Sequence, residues 1–163
     1  MPGDRDEFLA ILRDIVSAPS DTHARLSKAA NLLRNGGKYR WVGLYDVDRE
    51  SGQVSILVWS GSSAPEHPAF PIHKGLTGVA VATGRTVNVG DVAADPHYLT
   101  AFGTTRSEII VPVFDPQRES VIGTIDVESE LRNAFGAEAQ SLLEECAELI
   151  RPLWERRTPL NSL

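Results

Sequence analysis

The stretch Trp41-Val42-Gly43-Leu44-Tyr45-Asp46-Val47-Asp48-Arg49-Glu50-Ser51-Gly52-Gln53-Val54-Ser55-Ile56-Leu57-Val58-Trp59 decides the fold. Its two apolar runs, Trp41 to Val47 and Val54 to Trp59, are rich in aromatic and aliphatic residues, and the polar segment between them closes on a glycine. Strand, turn and strand in that order predict an antiparallel hairpin. Residues two or four apart along a strand share a side, so Trp41 and Tyr45 fall on one face.

Upstream the period changes from two to that of a helix. Phe8, Ile11, Leu12, Ile15 and Val16 recur at helical spacing, and Pro19 stops the run. Ser20 or Asp21 can cap a second helix carrying Leu26, Ala29, Ala30 and Leu33, with Gly36-Gly37 as its stop. Downstream, after a loop from Gly61 to Pro68, the pattern predicts a short strand near Phe70 to Ile72. A short helix from Gly75 to Thr83 follows, then a brief strand from Thr86 to Val89. Gly90 to Thr105 reads as mostly irregular. Glu108 to Val113 and Val121 to Val127 are apolar strands joined by the turn-forming segment Asp115 to Ser120. A last helix from about Ala137 carries Leu142, Leu143, Cys146, Leu149, Ile150 and Leu153 on one stripe, and Pro152 should kink or end it. Helices at both ends around five or six short strands predict an α+β domain, one antiparallel sheet with helices packed against it.

At 163 residues, 42% of them hydrophobic, the chain fills one core and is too short for two. The expected organisation is a single domain over residues 1–157, with Thr158 to Leu163 as a frayed tail. A net charge of -6 argues against nucleic acid and anionic membranes as partners. No apolar stretch reads as a signal peptide or a membrane span, which makes a cytoplasmic location the expectation. The one cysteine, Cys146, excludes an internal disulfide, a CxxC pair and a cysteine-built zinc site. The histidines at 23, 67, 73 and 97 show no HxH or HExxH spacing, so a dedicated zinc site is not indicated; Glu108, Asp126 and Glu128 could bind magnesium or calcium if they converge, but an amine suits them better and no metal and no cofactor is expected.

Three acids stand out. Asp126 and Glu128 share a side at the end of an otherwise apolar strand, and Glu108 opens the other one. Two readings stay open at this point. In one, all three are solvated strand ends and Trp41 and Tyr45 are ordinary core aromatics. In the other, the acids and the aromatics converge on a pocket for a cationic ligand, since carboxylates compensate an ammonium and aromatic faces attract it. Spacing alone does not bring the strands together.

Trp41-Val42-Gly43-Leu44-Tyr45, Gly75-Leu76-Thr77-Gly78, Arg106-Ser107-Glu108-Ile109-Ile110-Val111-Pro112 and Gly123-Thr124-Ile125-Asp126-Val127-Glu128-Ser129 occur in this order. Together they resemble the free methionine-(R)-sulfoxide reductases, which are single GAF domains, over about Phe8 to Leu153. The resemblance implies a six-stranded antiparallel sheet flanked by N- and C-terminal helices. It also implies a ligand cavity between that sheet and the irregular segment before Glu108. It further implies that Glu108, Asp126 and Glu128 hold the amino group of a small ligand while Trp41 and Tyr45 wall it. Glu128 stands where the family usually has Asp, which implies a tighter pocket.

The departure from the family weighs more than the match. The reductases attack the sulfoxide with one cysteine thiolate and resolve the intermediate with others, and the resemblance sets Thr77 and Ala101 at two of those positions. A threonine hydroxyl is far less nucleophilic than a thiolate and forms no disulfide. Cys146, on the apolar stripe of the last helix, reads as a packing residue. The segment Asp91-Val92-Ala93-Ala94-Asp95-Pro96-His97-Tyr98 resembles the loop of sensory GAF domains instead, and haem ligation by His73 or His97 is the weaker alternative to a hydrogen-bonding role.

The expected function is therefore a sensory or regulatory module. Its ligand site would comprise Trp41, Tyr45, Thr77, Glu108, Asp126 and Glu128, its ligand would be a small amine-bearing, amino-acid-like molecule, and it would have no catalytic residues. The alternatives are a reductase-like enzyme using non-thiol chemistry, or acid-base catalysis by the three carboxylates, and a structural dimerisation module. A homodimer through the first and last helices is expected because their apolar stripes have more to bury than one sheet face covers.

Overall fold

The computed structural model describes residues 2–98 and 103–155. The expected tail, Thr158 to Leu163, and Ala101 lie outside the described residues. Helices α1 (Pro2–Ser17) and α2 (Thr22–Gly37) precede the hairpin β1 (Trp41–Asp48) and β2 (Gln53–Ser60). Then come β3 (Ala69–Pro71), α3 (Gly75–Thr83), β4 (Val87–Val89), β5 (Ser107–Phe114) and β6 (Val121–Ser129), closed by α4 (Ala137–Ile150) and α5 (Pro152–Glu155). A 3-10 turn, Val92–Ala94, lies in the segment between β4 and β5.

The strands form one antiparallel sheet in the order β3-β2-β1-β6-β5-β4. Its two long hairpins are closed by aspartates that gather backbone amides. In the first turn Asp48 Oδ1 accepts from Glu50 N at 3.0 Å, and Gly52 enters the left-handed region at φ 72. In the second, Asp115 Oδ1 accepts from Glu119 N at 2.8 Å. These turns fix the register of β1 with β2 and of β5 with β6, whereas β1 and β6, distant in sequence, meet at the centre of the sheet.

Each face of the sheet has its own cover. Val42, Leu44, Ile109, Val111, Ile125 and Val127 point to the side packed by α1, α2, α4 and α5. There Leu12, Leu33, Cys146, Ile150 and Leu153 are withdrawn from solvent. Gly123 on β6 admits the Trp154 ring, whose Nε1 donates to Tyr45 O at 3.1 Å; a side chain at Gly123 would strike that indole. The opposite face carries Trp41, Tyr45, Val54 and Ile110 and is covered by α3 and β3 through Val81, Leu76, Ala80 and Phe70.

Most element ends follow the expected signals. Asp21 caps α2, its side chain accepting from Ala24 N at 2.8 Å. Gly84 ends α3 at φ 65. The last helix breaks at Pro152, which has no N–H to continue the ladder.

One expectation needs correction. Helix α2 runs through Gly37, and the left-handed residue that ends it is Lys38, at φ 55. Of the apolar stripes on the first and last helices, Leu12, Leu143, Cys146, Ile150 and Leu153 pack in the core beneath the sheet, whereas Phe8, Ile15, Val16, Leu142 and Leu149 are half-buried and Ile11 is 43% exposed. Among the described residues no helix is long and apolar enough to cross a membrane.

Candidate functional site

The register of the three central strands builds the site row by row. Trp41 of β1 lies opposite Glu128 of β6, which lies opposite Glu108 of β5. One row along, Gly43 faces Asp126, which faces Ile110; one further, Tyr45 faces Thr124. All these side chains belong to the face covered by α3. The solvated-strand-end reading of the acids is thereby overturned, because Glu108 is 4% exposed, Asp126 6% and Glu128 0%. One oxygen from each lies within 4.8 Å of the others.

Burial penalises the charged form of each acid. Glu108 is pushed well above the usual carboxylate range by burial first, then by the neighbouring charge of Asp126 and by a hydrogen bond its carboxyl donates to Asp126. Burial raises Asp126 to about 6, against the hydrogen bond from Glu108. Glu128 is raised to about 8, again by burial and then by Asp126, although the Thr105 hydroxyl and the Arg40 charge pull the other way. Thr105 Oγ1 donates to Glu128 Oε1 at 2.7 Å. Glu128 Oε2 and Asp126 Oδ1 are buried without a hydrogen-bond partner among the described residues. Unsatisfied acceptors at such depth are costly and call for a donor.

Two aromatics flank the acids. The rings of Trp41 and Tyr45 stand 6.4 Å apart, and Phe70 meets Tyr45 edge-on at 5.8 Å. Gly43 makes this wall possible, since a Cβ there would collide with the Trp41 ring and press on Tyr45. Trp41 Nε1 donates to Ser63 O at 3.1 Å, which holds the indole in place.

A cavity of about 30 Å³ opens among Glu108, Asp126, Thr77, Gly75, Leu76, His67 and Phe70. That is roughly the share of one water molecule in the liquid, enough for the charged head of a ligand. Thr77, in the first turn of α3, therefore lines the same cavity as two of the acids. His67 and Phe70 were not singled out from sequence. Phe70 sits on a three-residue edge strand and His67 on the loop before it, and neither stretch carries a periodic signal. His73 is exposed, and His97, also exposed, rests against Asp95 at 3.3 Å.

Larger clefts lie elsewhere, one of about 570 Å³ beside Phe8, Leu33 and Tyr39 and one of about 700 Å³ beside Arg85 and Arg118. In the first Arg5 pairs with Glu145 at 2.8 Å, and in the second Arg118 pairs with Glu148. Cys146, expected as a packing residue, is fully buried on α4, and burial lifts its thiol to about 12.

The family model for the GAF domain matches residues 21–151. Protein YtsP of Bacillus subtilis is 24% identical over 153 residues, covering 91% of either chain. The free methionine-R-sulfoxide reductase of Saccharomyces cerevisiae is 28% identical over 130 residues, covering 77% of this chain and 71% of its own. In three dimensions the chain is similar to the free methionine-R-sulfoxide reductase of Neisseria meningitidis, solved in complex with its substrate. That structure matches at a TM-score of 0.83 and 32% identity, over 93% of this chain and 88% of that one.

Proposed function

The chain belongs to the GAF domain family, and from that premise we propose that it is a sensory or regulatory module. In this reading it binds a small, amine-bearing, amino-acid-like molecule at Glu108, Asp126 and Glu128, with Trp41, Tyr45 and Thr77 completing the site. The observation that carries it is the convergence of three buried carboxyls, two of which keep an oxygen without a partner among the described residues. A protonated amine supplies both the missing donors and the missing charge. Calcium would want six to eight oxygen ligands, and magnesium a near-octahedral set, whereas the side chains lining the cavity offer the carboxyls of Glu108 and Asp126 and the Thr77 hydroxyl beside His67, Phe70 and Leu76.

The reductase relatives make the scaffold a natural one for a methionine-like ligand, but their thiol chemistry has no counterpart in this chain. Cys146 lies on the far side of the sheet from the acids, packed in the core among Leu143, Ala147 and Ile150. A second reading, acid-base catalysis, is favoured by one observation: Glu108 and Asp126 lie close together in one cavity, where burial raises the proton affinity of both.

The test is calorimetric titration of a panel of amino acids and simple amines, methionine sulfoxide included, against wild type and Glu108→Gln. Losing one charge-assisted hydrogen bond should weaken amine binding about ten- to a hundredfold. Binding should also weaken as pH falls and the acids take up protons. Tighter binding of a neutral or anionic ligand, or an unchanged affinity in Glu108→Gln, refutes the amine site. Conversion of a bound ligand to product supports the catalytic reading.

A further inference from the structure

Thr105 lies off the sheet, just before β5, yet it is buried against the acid cluster. Its Oγ1 donates to Glu128 Oε1 at 2.7 Å, whereas Glu128 Oε2 has no partner among the described residues. The next residue makes this bond part of a junction. Arg106 N donates to Ser129 O at 2.8 Å, at the end of β6, and Arg106 O accepts from Val92 N at 2.9 Å. Val92 opens the 3-10 turn, where the Asp91 side chain accepts from Ala93 N at 3.2 Å. The loop after β6 is clasped to the same segments, since Ser107 Oγ donates to Leu131 O at 2.5 Å and Asn133 N to Gly90 O at 2.9 Å. A short run of chain thus joins a carboxyl with no exposed surface to a surface on which Leu131 is 71% exposed.

A hydroxyl bonded to an ionised carboxylate is held about twice as strongly as one bonded to a neutral acid. We infer that Thr105 is a positioning residue for Glu128 and the first link of a relay. When Glu128 is charged, Thr105 and the Arg106 backbone hold the Val92–Ala94 turn firmly to the sheet, and when Glu128 takes a proton that hold slackens. The groups that set the charge of Glu128 come from several elements. Asp126 on its own strand and Glu108 on β5 oppose ionisation, the Arg40 guanidinium before β1, itself paired with Glu130, favours it, and the Tyr45 phenol faces all three acids from β1. His67 and Thr77 line the cavity beside Glu108 and Asp126. The relay rests on the acid cluster and not on the identity of its ligand; a bound cation that ionises Glu128 acts through the same link.

The test is hydrogen exchange of the full chain from about pH 6 to about pH 9, a range that spans the loss of the Glu128 proton at about 8, with labelling times scaled to the intrinsic rate at each pH. The amides of Val92 and Arg106 should gain protection about three- to tenfold. That of Ile125, in the centre of the sheet, should stay level or fall with the global stability, so the two responses differ in sign. Thr105→Val removes the hydroxyl at nearly constant volume. It should abolish the gain and carry the Glu128 titration, followed by NMR of the carboxyl carbon, to higher pH, while Thr105→Ser should restore both. Glu128→Gln, uncharged at every pH, should show no gain. Amides of Val92 and Arg106 that follow Ile125 in the wild type, or a gain that survives in Thr105→Val or in Glu128→Gln, overturn the relay and leave the amine site standing.

Discussion

Glu108 and Glu128 stand directly opposite each other across the β5 and β6 ladder, and neither side chain is more than 4% exposed. Like charges in that position repel, and burial adds a desolvation cost to each. The pair persists only with protons or a cation to balance it, so protonation and ligand binding at this site are two answers to one electrostatic problem.

The aromatic wall depends on the absence of a side chain at Gly43. Gly43→Ala would drive a Cβ into the Trp41 ring and against Tyr45, within the row that faces Asp126. Overpacking of this kind costs about 1–3 kcal/mol. Urea unfolding should show that loss, together with weaker binding of any ligand that touches Trp41. Unchanged stability would mean that the indole has room to swing away.

Cys146 should be chemically silent in the folded chain. With no exposed surface and a thiol raised to about 12, it offers almost no thiolate at neutral pH. A thiol reagent should label it only after denaturant is added, and the protein should not reduce free methionine-(R)-sulfoxide with dithiothreitol or thioredoxin. Product formation that persists in Cys146→Ala would overturn the argument that this chemistry needs a thiol.

Local signals made the elements legible. The apolar run Trp41 to Val47, the aspartate at 21 and the glycine at 84 each name a local structure whose cause lies within a few residues. The convergence of Glu108 with Asp126 and Glu128 depends on the register of the β5 and β6 hairpin, and their meeting with Trp41 and Tyr45 on β6 lying beside β1, a pairing between residues about 80 positions apart; spacing gives neither. Motif resemblance supplied that link. The exit of α2 through Lys38 was missed because two glycines precede it and a lysine rarely takes the left-handed region. The stripe ending at Leu153 was read correctly as apolar, but periodicity says that a face is buried without saying against what.

That stripe yields its own prediction. Leu153 has no exposed surface and packs in the core with Trp154 and Ile150, so Leu153→Ala should cost about 2–5 kcal/mol and Leu153→Glu should fail to fold. A Leu153→Glu protein that stays folded and merely changes its sedimentation from dimer to monomer would place Leu153 in a helix-stripe interface and not in the core.

The acid cluster predicts that stability falls with pH over a range where most proteins are steady. In the unfolded chain the carboxyls lose their protons near pH 4, whereas folded Asp126 holds its proton to about 6 and folded Glu128 to about 8. Between those limits the native state binds more protons than the unfolded one, so raising the pH favours unfolding. The stability is fully present below the unfolded values and is lost progressively as pH rises through the folded ones. Asp48, whose carboxyl is held low by Ser51, acts in the opposite direction but only on the acid side of that window. Each tenfold difference in proton affinity is worth about 1.4 kcal/mol, so the melting temperature should drop by on the order of 5 °C or more between pH 5 and pH 8. Glu128→Gln keeps an oxygen to accept from Thr105 while removing the proton that must leave, and should flatten the upper part of the curve. A bound amino acid should do the same in wild type by supplying the cation that the carboxylates lack. Calorimetric melts across this range decide the matter: a melting temperature that is level or rising from pH 5 to pH 8 would mean that the three acids are already compensated, and the electrostatic case for an ammonium site would fall with it.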